Sequence, residues 1–394
     1  MPSYERLSVL LLCDDNRRHA NTVLEHIGAL KRYSRHHLRT FNPRRLGMRF
    51  LDFDEFDAVV IHYSLLSSSD QFLHHTFREA LARYRGLKVQ FIQDEYRWID
   101  EITGAIRDMG VHVLFTCLPE DEAKRVYGPR LPGVALVSTL TGYVAESLVG
   151  LSVPPPAERP IDIGYRARKL PYWLGDLGRK KYLIGKGILD RADRYGLRCD
   201  ISWREEDRIY GRRWIEFLQS CRATLGSGSG SSIADYDGSI QRNVDRYVEE
   251  HPDAPYEEVH ERFLAPYEGT LGLDVISPRI FEGIALRTAL ILFPSPYSGV
   301  IQPWEHYIPL APDFSNMDQV VEELRDDRFV TEMTARAYDN VVESGRYSFR
   351  ELARQFDAAL EGPAEHRRRR LPLGYVTARL DRSQQMFRVR HGLP

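Results

Sequence analysis

The chain has 394 residues, of which 43% are hydrophobic and 28% are charged, and its net charge is −2 at neutral pH. This composition excludes a disordered or fibrous protein, and the length predicts two domains, because single hydrophobic cores stop growing at about 250–300 residues. The near-neutral charge provides no overall positive field that would attract nucleic acid or an anionic membrane, so neither is expected as a partner.

The cysteines stand singly in apolar runs, without the short paired spacings of zinc sites or disulfide frameworks. They are Cys13, Cys117, Cys199 and Cys221. The first residues lack the pattern of a secretory signal, and no apolar run approaches the roughly 20 residues of a membrane helix. The sequence therefore predicts reduced, buried thiols, a cytoplasmic location and no integral membrane segment.

The first part of the chain alternates short apolar runs with helical patterns. The runs lie at 8–13, 57–61, 87–92, 111–115 and 134–137, and the helical patterns lie at 21–33, 72–84, 99–109 and 121–126. Continuous apolar runs are typical of strands buried on both faces, and strict alternation with helices indicates a parallel α/β sheet.

The alternating pattern ends at residues 153–160, where four prolines exclude regular structure and indicate a domain boundary. A second alternation of strands and helices follows, with a charged helical insertion at 240–264. The predicted organisation is an N-terminal Rossmann-like domain over 1–150, a second over 151–362, and a C-terminal tail over 363–394 that crosses back to the first domain. The fold class is α/β, with the two domains facing across a cleft.

The most informative segment is 274–293, in which Asp274 and Glu282 are eight residues apart. Ser277 is a good N-cap and Pro278 a good first helical residue, so the amides near Arg279 should form an anion site at the positive helix end. Glu282 follows one turn later, where a carboxylate can accept two hydrogen bonds from a vicinal diol such as a ribose. The alternative is a capped surface helix with an incidental acid.

This segment, together with His306–Leu310, resembles the donor-site signature of GT-B glycosyltransferases, in particular family four and the spore-maturation type. The resemblance implies a nucleotide-diphosphate sugar as co-substrate, with no cofactor. Glu282 would bind the ribose and Asp274, where the family usually has glutamate, the transferred sugar. It also implies metal-independent transfer with retention of anomeric configuration, in which the leaving phosphate can itself deprotonate the acceptor.

A donor diphosphate requires positive charge, because negative charge accumulates on the leaving group. Arg166 and Arg168 follow the first strand of the second domain, where this fold presents a loop to the cleft, and are predicted diphosphate ligands. The glycine- and serine-rich segment 226–232 follows another strand, so Ser229 is a further predicted donor contact, although the same composition is typical of linkers.

The triplet Asp235-Tyr236-Asp237 matches the metal-binding motif of a different glycosyltransferase fold. Its position favours a turn or helix cap, and no bound metal is predicted.

Polar residues follow the strands of the first domain, where open α/β sheets place their ligands. Asp94, Glu95 and His62 are the candidates for a base that accepts the proton of the acceptor hydroxyl. The acceptor itself, whether small molecule, glycan or protein, stays open.

Three other classes are weighed against the glycosyltransferase. A receiver-like regulatory domain fits Asp14 and Asp15 after the first strand, but His62 stands where its phosphoacceptor aspartate would be. A nucleotide-sugar epimerase or hydrolase would share the fold but consume no acceptor. A catalytically inactive nucleotide-sugar-binding protein would keep Glu282 and the arginines.

Overall fold

A computed structural model describes residues 6–16 and 21–362, and the predicted tail at 363–394 lies outside the described residues. The N-terminal part is a six-stranded sheet, every neighbouring pair of which is parallel, in the order β2-β1-β3-β4-β5-β6. Its elements are β1 (Ser8–Leu12), α1 (Asn21–Tyr33), β2 (His37–Phe41), β3 (Ala58–Ile61), α2 (His75–Arg83), β4 (Leu87–Phe91), α3 (Ile99–Met109), β5 (Val113–Thr116), α4 (Glu120–Tyr127) and β6 (Ala135–Ser138).

The second part carries a five-stranded parallel sheet in the order β13-β12-β9-β7-β8 and a separate antiparallel pair, β10-β11. Its elements are β7 (Ile161–Arg166), α5 (Gly175–Tyr195), β8 (Cys199–Ser202), α6 (Arg212–Ser220), β9 (Cys221–Gly226), β10 (Ser229–Ser231), α7 (Ser239–Glu250), α8 (Tyr256–Val259), β11 (Leu273–Val275), α9 (Pro278–Ala285), β12 (Ala289–Leu292), β13 (Ile308–Pro309), α10 (Met317–Arg325), α11 (Asp327–Tyr338) and α12 (Phe349–Glu361). The predicted class, α/β with two Rossmann-like units, is confirmed.

Two segments cross from the second sheet to the first. Helix α12 packs on α1 and buries Phe349, Leu352 and Phe356 in the core beneath the first sheet. Strand β11 contributes Leu273 and Val275 to the other core of the first sheet. The two units are therefore joined by packed apolar side chains on two sides of the cleft between them.

The proline-rich segment is fastened to the second unit by Arg159, which is 2% exposed. Its guanidinium donates to the carbonyls of Cys221 and Leu286 at 3.0 and 2.9 Å and to the Thr288 hydroxyl at 2.8 Å. Because a buried guanidinium must satisfy its donors, these bonds determine how the chain enters β7.

The structure differs from the sequence prediction at the edge strand β2, which lies between α1 and β3. Four of its five side chains are only half-buried, and the run is His-Leu-Arg-Thr-Phe, so it lacks the continuous apolar pattern of the central strands. The four cysteines are free, as predicted, although Cys199 is half-buried rather than buried. Among the described residues, no helix is both long enough and apolar enough to cross a membrane.

Candidate active site

The candidate site lies in the cleft between the two sheets, where loops after their parallel strands meet. Gly142, which follows β6, lies so close to α9 that a Cβ on it would be 2.8 Å from Pro278. The Thr141 hydroxyl also donates to the carbonyl of Ile276. The start of α9, with its predicted donor-binding residues, is therefore held against the first unit.

Lys181 on α5 is a positive charge beside the predicted donor-side residues. Its Nζ donates to the Ser229 hydroxyl at 2.9 Å. Burial and, to a smaller extent, the positive charge of Arg279 lower the pKa of Lys181 to about 8, while the carboxylates of Asp94 and Asp274 oppose the shift. One ammonium thus bonds Ser229, a predicted donor contact, and interacts electrostatically with a carboxylate from each unit.

Asp274 lies on β11 against the glycine-rich segment. The Ser295 hydroxyl donates to its Oδ1 at 2.5 Å, and a Cβ on Gly228 would lie 1.5 Å from the same oxygen. Burial raises the pKa of Asp274, whereas the Ser295 hydroxyl and the charges of Lys180 and Lys181 lower it. Glycine is therefore required at 228, and the segment is packed against a predicted site residue rather than being a free linker.

Glu282 lies one turn into α9 and accepts a hydrogen bond from Trp214 Nε1 at 2.8 Å. Burial raises its pKa, and this hydrogen bond and Arg279 oppose the shift. The guanidinium of Arg279 lies 5.0 Å from the Trp214 ring centroid and donates to the carbonyl of Arg166. A carboxylate, an indole and a guanidinium thus form one cluster at the start of α9.

Ser277 occupies the N-cap position of α9 as predicted, with extended backbone and Pro278 following it. Its hydroxyl makes no capping hydrogen bond to the helix. The first amides of α9 therefore keep no side-chain cap, which is the state an anion-binding helix end requires.

The two predicted diphosphate arginines differ in what surrounds them. Arg166 is engaged by the second unit: it donates to the carbonyls of Asp207 and Asp200 at 3.1 and 2.8 Å and pairs with the Asp200 carboxylate at 2.8 Å. Arg168 is exposed and makes no hydrogen bond or ion pair with the described residues. Arg168 is therefore available for a ligand, whereas Arg166 would first have to give up its partners.

On the acceptor side the structure separates the three predicted bases. Asp94 is exposed and has a left-handed backbone, with φ of 58°. This conformation is uncommon for a residue with a Cβ, although aspartate adopts it more readily than most. Of the three candidates, Asp94 is the one whose charge affects Lys181, the pKa of which it raises. Asp94 is therefore the predicted base that the structure brings to the donor-side residues.

Glu95 and His62 are buried instead. The Glu95 carboxylate accepts hydrogen bonds from the Cys117 amide at 2.5 Å, the Tyr127 hydroxyl at 2.6 Å and the Thr116 hydroxyl, and burial raises its pKa to about 7. His62 is 0% exposed, and its ring bonds His26 and the Ser64 hydroxyl, each at 3.0 Å. Both groups hold the first unit together and do not reach the cleft.

Among the described residues, two clusters have side chains close enough together to hold a metal ion. They are Asp70 with His74 and His75, and Asp176 with His260 and Glu268. Neither includes a predicted site residue. Asp235 and Asp237 accept hydrogen bonds from the backbone amides of Gln241 and Ser239 at the start of α7, each at 2.9 Å, so the triplet is a helix cap, as predicted.

The sequence interpretation missed Lys181, Trp214 and Glu25. Lys181 carried only a weak signal, the run Arg179-Lys180-Lys181 in the first two turns of α5. The positive end of a helix disfavours cations mainly within its first turn, so this run does not by itself indicate a ligand. Trp214 and Glu25 carried no sequence signal, because only the packing of distant segments places them next to Glu282.

No protein-family model matches the chain, and no curated protein does either. Solved structures do resemble it. A DNA-modifying β-glucosyltransferase, studied with and without uridine diphosphoglucose, superposes with a TM-score of 0.53 at 10% identity, covering 91% of this chain and all of that one.

An α-glucosyltransferase bound to UDP and DNA containing an HMU base has a TM-score of 0.53 at 10% identity, covering 90% of this chain and 99% of its own. Anabaena HepE bound to UDP-glucose has a TM-score of 0.51, also at 10% identity, with the same coverage of 90% and 99%. These likenesses over nearly whole chains show that the fold is GT-B, as the motif resemblance implied.

Proposed function

We propose that the protein is a glycosyltransferase that transfers a sugar from a nucleotide-diphosphate donor to an acceptor hydroxyl in the cleft. The observation that carries the proposal is the donor side of the cleft, where Lys181 donates to Ser229 and the Glu282 carboxylate lies near the uncapped start of α9. Asp94 and Asp274 both act electrostatically on Lys181, which agrees with an acceptor side and a donor side at one ammonium. The GT-B fold, whose three neighbours above are each glucosyltransferases or bind UDP-glucose, supports the same class.

On the donor side, Glu282 accepts hydrogen bonds from the ribose diol. The uncapped amides of α9, with Lys181 and Arg168, neutralise the diphosphate. Such fixed positive groups stabilise charge that develops as the glycosidic bond breaks, so they can replace a divalent cation. Asp274 and Ser229 face the transferred sugar, and Arg166 positions the strand end from which Arg168 extends. We propose UDP as the first nucleotide to test.

On the acceptor side, Asp94 accepts the proton of the attacking hydroxyl. An exposed carboxylate at the cleft surface is suited to this, because an acceptor hydroxyl can reach it. Retention of configuration, expected from the motif resemblance, would instead let the leaving phosphate accept that proton. The configuration of the product therefore reports which group is the base.

The experiment is calorimetry of UDP, GDP, ADP, TDP and their glucose conjugates with the full chain, with and without magnesium. We expect one nucleotide to bind with no need for metal and to lose affinity in Glu282→Ala. Equal, weak binding of all four would contradict the proposal. Sugar transfer is then assayed with the matching donor, saccharide acceptors and a DNA duplex carrying a hydroxymethylated pyrimidine, since two of the structural neighbours concern DNA.

The same assay separates the alternatives. An epimerase converts the donor sugar, and a hydrolase releases it, with no acceptor present. An inactive binding protein binds the nucleotide and leaves donor and acceptor unchanged. The proposal requires release of the nucleotide to depend on an acceptor.

A further inference from the structure

A second pocket lies on α5 beside the proposed donor site. It measures about 100 Å³ and is lined by Lys169, Leu170, Pro171, Tyr172, Gly175, Arg179, Tyr182 and Tyr256. Two of these residues are cations, three are tyrosines and none is acidic. Such a lining is distinct from the chain as a whole, whose net charge is −2.

Of the two cations that line this pocket, Lys169 is the one without an ion pair to a described carboxylate. Its Nζ lies 5.8 Å from the ring centroid of Tyr172 and 5.9 Å from that of Tyr182, and it makes no ion pair with a described carboxylate. Arg179, by contrast, pairs with Glu257 and lies 4.4 Å from the Tyr256 ring. The pocket therefore presents one ammonium between two aromatic faces.

The pocket lies at the boundary between the two units. Lys169 and Tyr172 belong to the segment between β7 and α5, and so does Trp173, which packs on Tyr96 of the first unit with ring centroids 5.9 Å apart. A ligand bound here would thus touch the same segment that carries Arg168, one of the proposed diphosphate ligands.

We infer that this pocket binds an anionic sugar residue of the acceptor. An aromatic face packs on the apolar C–H face of a pyranose, and an ammonium beside the ring recognises a carboxylate or phosphate on the same sugar. Both features are present, together with room for part of one sugar residue. The inference deepens the proposed function, on which it rests, by naming the acceptor as an acidic saccharide.

The test is saturation-transfer NMR on the full chain saturated with UDP, with glucuronic acid, glucose 6-phosphate and glucose as probes. We expect both anionic sugars to bind at least tenfold more tightly than glucose. Whichever anionic sugar binds more tightly shows whether the pocket recognises a carboxylate or a phosphate. Lys169→Met, at an exposed side chain, should abolish the preference for anionic sugars, and Lys169→Arg should keep it.

The matched control is Lys186→Met, which removes an exposed lysine of α5 that pairs with Asp190 at 2.5 Å. This variant should bind every probe as the original chain does. Three results would overturn the inference: equal affinity for glucose and the anionic sugars, no effect of Lys169→Met, or complete displacement by a DNA oligonucleotide or inorganic phosphate at equal concentration.

UDP binding in the same samples separates the two proposals. If UDP binds and the sugars do not, the pocket inference fails while the proposed function stands. If UDP does not bind but the anionic sugars do, the proposed function fails and the pocket is a saccharide site without a donor.

Discussion

The carboxyl group of Glu25 on α1 faces that of Glu282 on α9 across the boundary between the two units, in a pocket lined also by Tyr63 and Gly142. Burial and, to a smaller extent, the charge of Glu282 raise the pKa of Glu25 to about 7. Two acidic groups thus share a site at the boundary between the units. Because the pKa of Glu25 lies near 7, part of the Glu25 population is protonated at neutral pH, which reduces its repulsion of the Glu282 carboxylate.

This pair predicts a pH-dependent stability difference. Because the pKa of Glu25 in the folded state is raised above its ordinary value of 4.5, its contribution is fully present below pH 4.5 and is lost as pH rises through about 7. Glu25→Gln mimics the protonated acid. Urea unfolding should therefore show equal stability of variant and original chain at pH 4.5, and a more stable variant, by on the order of 1–3 kcal/mol, at pH 8.

The buried Glu95, whose pKa is also raised, contributes equally to both proteins and cancels in that difference. Glu79→Gln, at an exposed position on α2, is the control and should show no such trend. A constant difference across the pH range would show that the pKa of Glu25 is not raised in the folded state.

Glu282→Ala should weaken UDP binding by about 10- to 150-fold, because hydrogen bonds to a charged acceptor contribute roughly 1.5–3 kcal/mol. Trp214→Phe removes only the indole donor that orients Glu282 and should cost less than tenfold. Calorimetry at pH 7 measures both. Unchanged affinity in a folded Glu282→Ala protein would exclude the ribose assignment.

Lys181 predicts the pH profile of nucleotide binding. Its pKa is lowered to about 8, so the ammonium is present below that pH and is lost above it. UDP affinity should therefore fall between pH 7 and 9, and Lys181→Met should bind weakly with no such fall. Lys186→Met should follow the original profile, and a fall of equal size in Lys181→Met would assign the titration to another group.

Asp94→Asn tests the base. If Asp94 accepts the acceptor proton, kcat should fall by about 10²- to 10⁴-fold with UDP affinity unchanged. Glu95→Gln should instead lower the melting temperature, because its carboxylate joins three groups of the buried core. A loss of less than tenfold in Asp94→Asn would assign proton acceptance to the leaving phosphate and agree with retention.

Gly228→Ala should disrupt the donor side, because the added Cβ would lie 1.5 Å from Asp274 Oδ1 and must displace that carboxylate. We expect the substitution to weaken binding of the UDP-sugar more than it weakens binding of UDP alone. Gly47→Ala, where the added Cβ meets nothing within 4 Å, is the control. Equal loss in both variants would indicate a general effect on stability.

Local patterns in the sequence determined much of this protein. Continuous apolar runs predicted the central strands, since a strand buried on both faces must be apolar throughout. Ser277 and Pro278 predicted where α9 begins, because capping depends on the residues at the helix end themselves. The edge strand β2 was not predicted, because a strand exposed on one side does not need a continuous apolar run.

Only the tertiary structure decided which polar groups meet. Asp94 and Glu95 are adjacent and chemically alike, yet a left-handed backbone at Asp94 leaves one carboxylate at the cleft and the other in the core. Lys181 reaches Ser229, 48 residues away, through the packing of α5 beside β10. The sequence gives the identity of each side chain. Distances across the cleft depend on how the two sheets pack, and no local sequence pattern determines that packing.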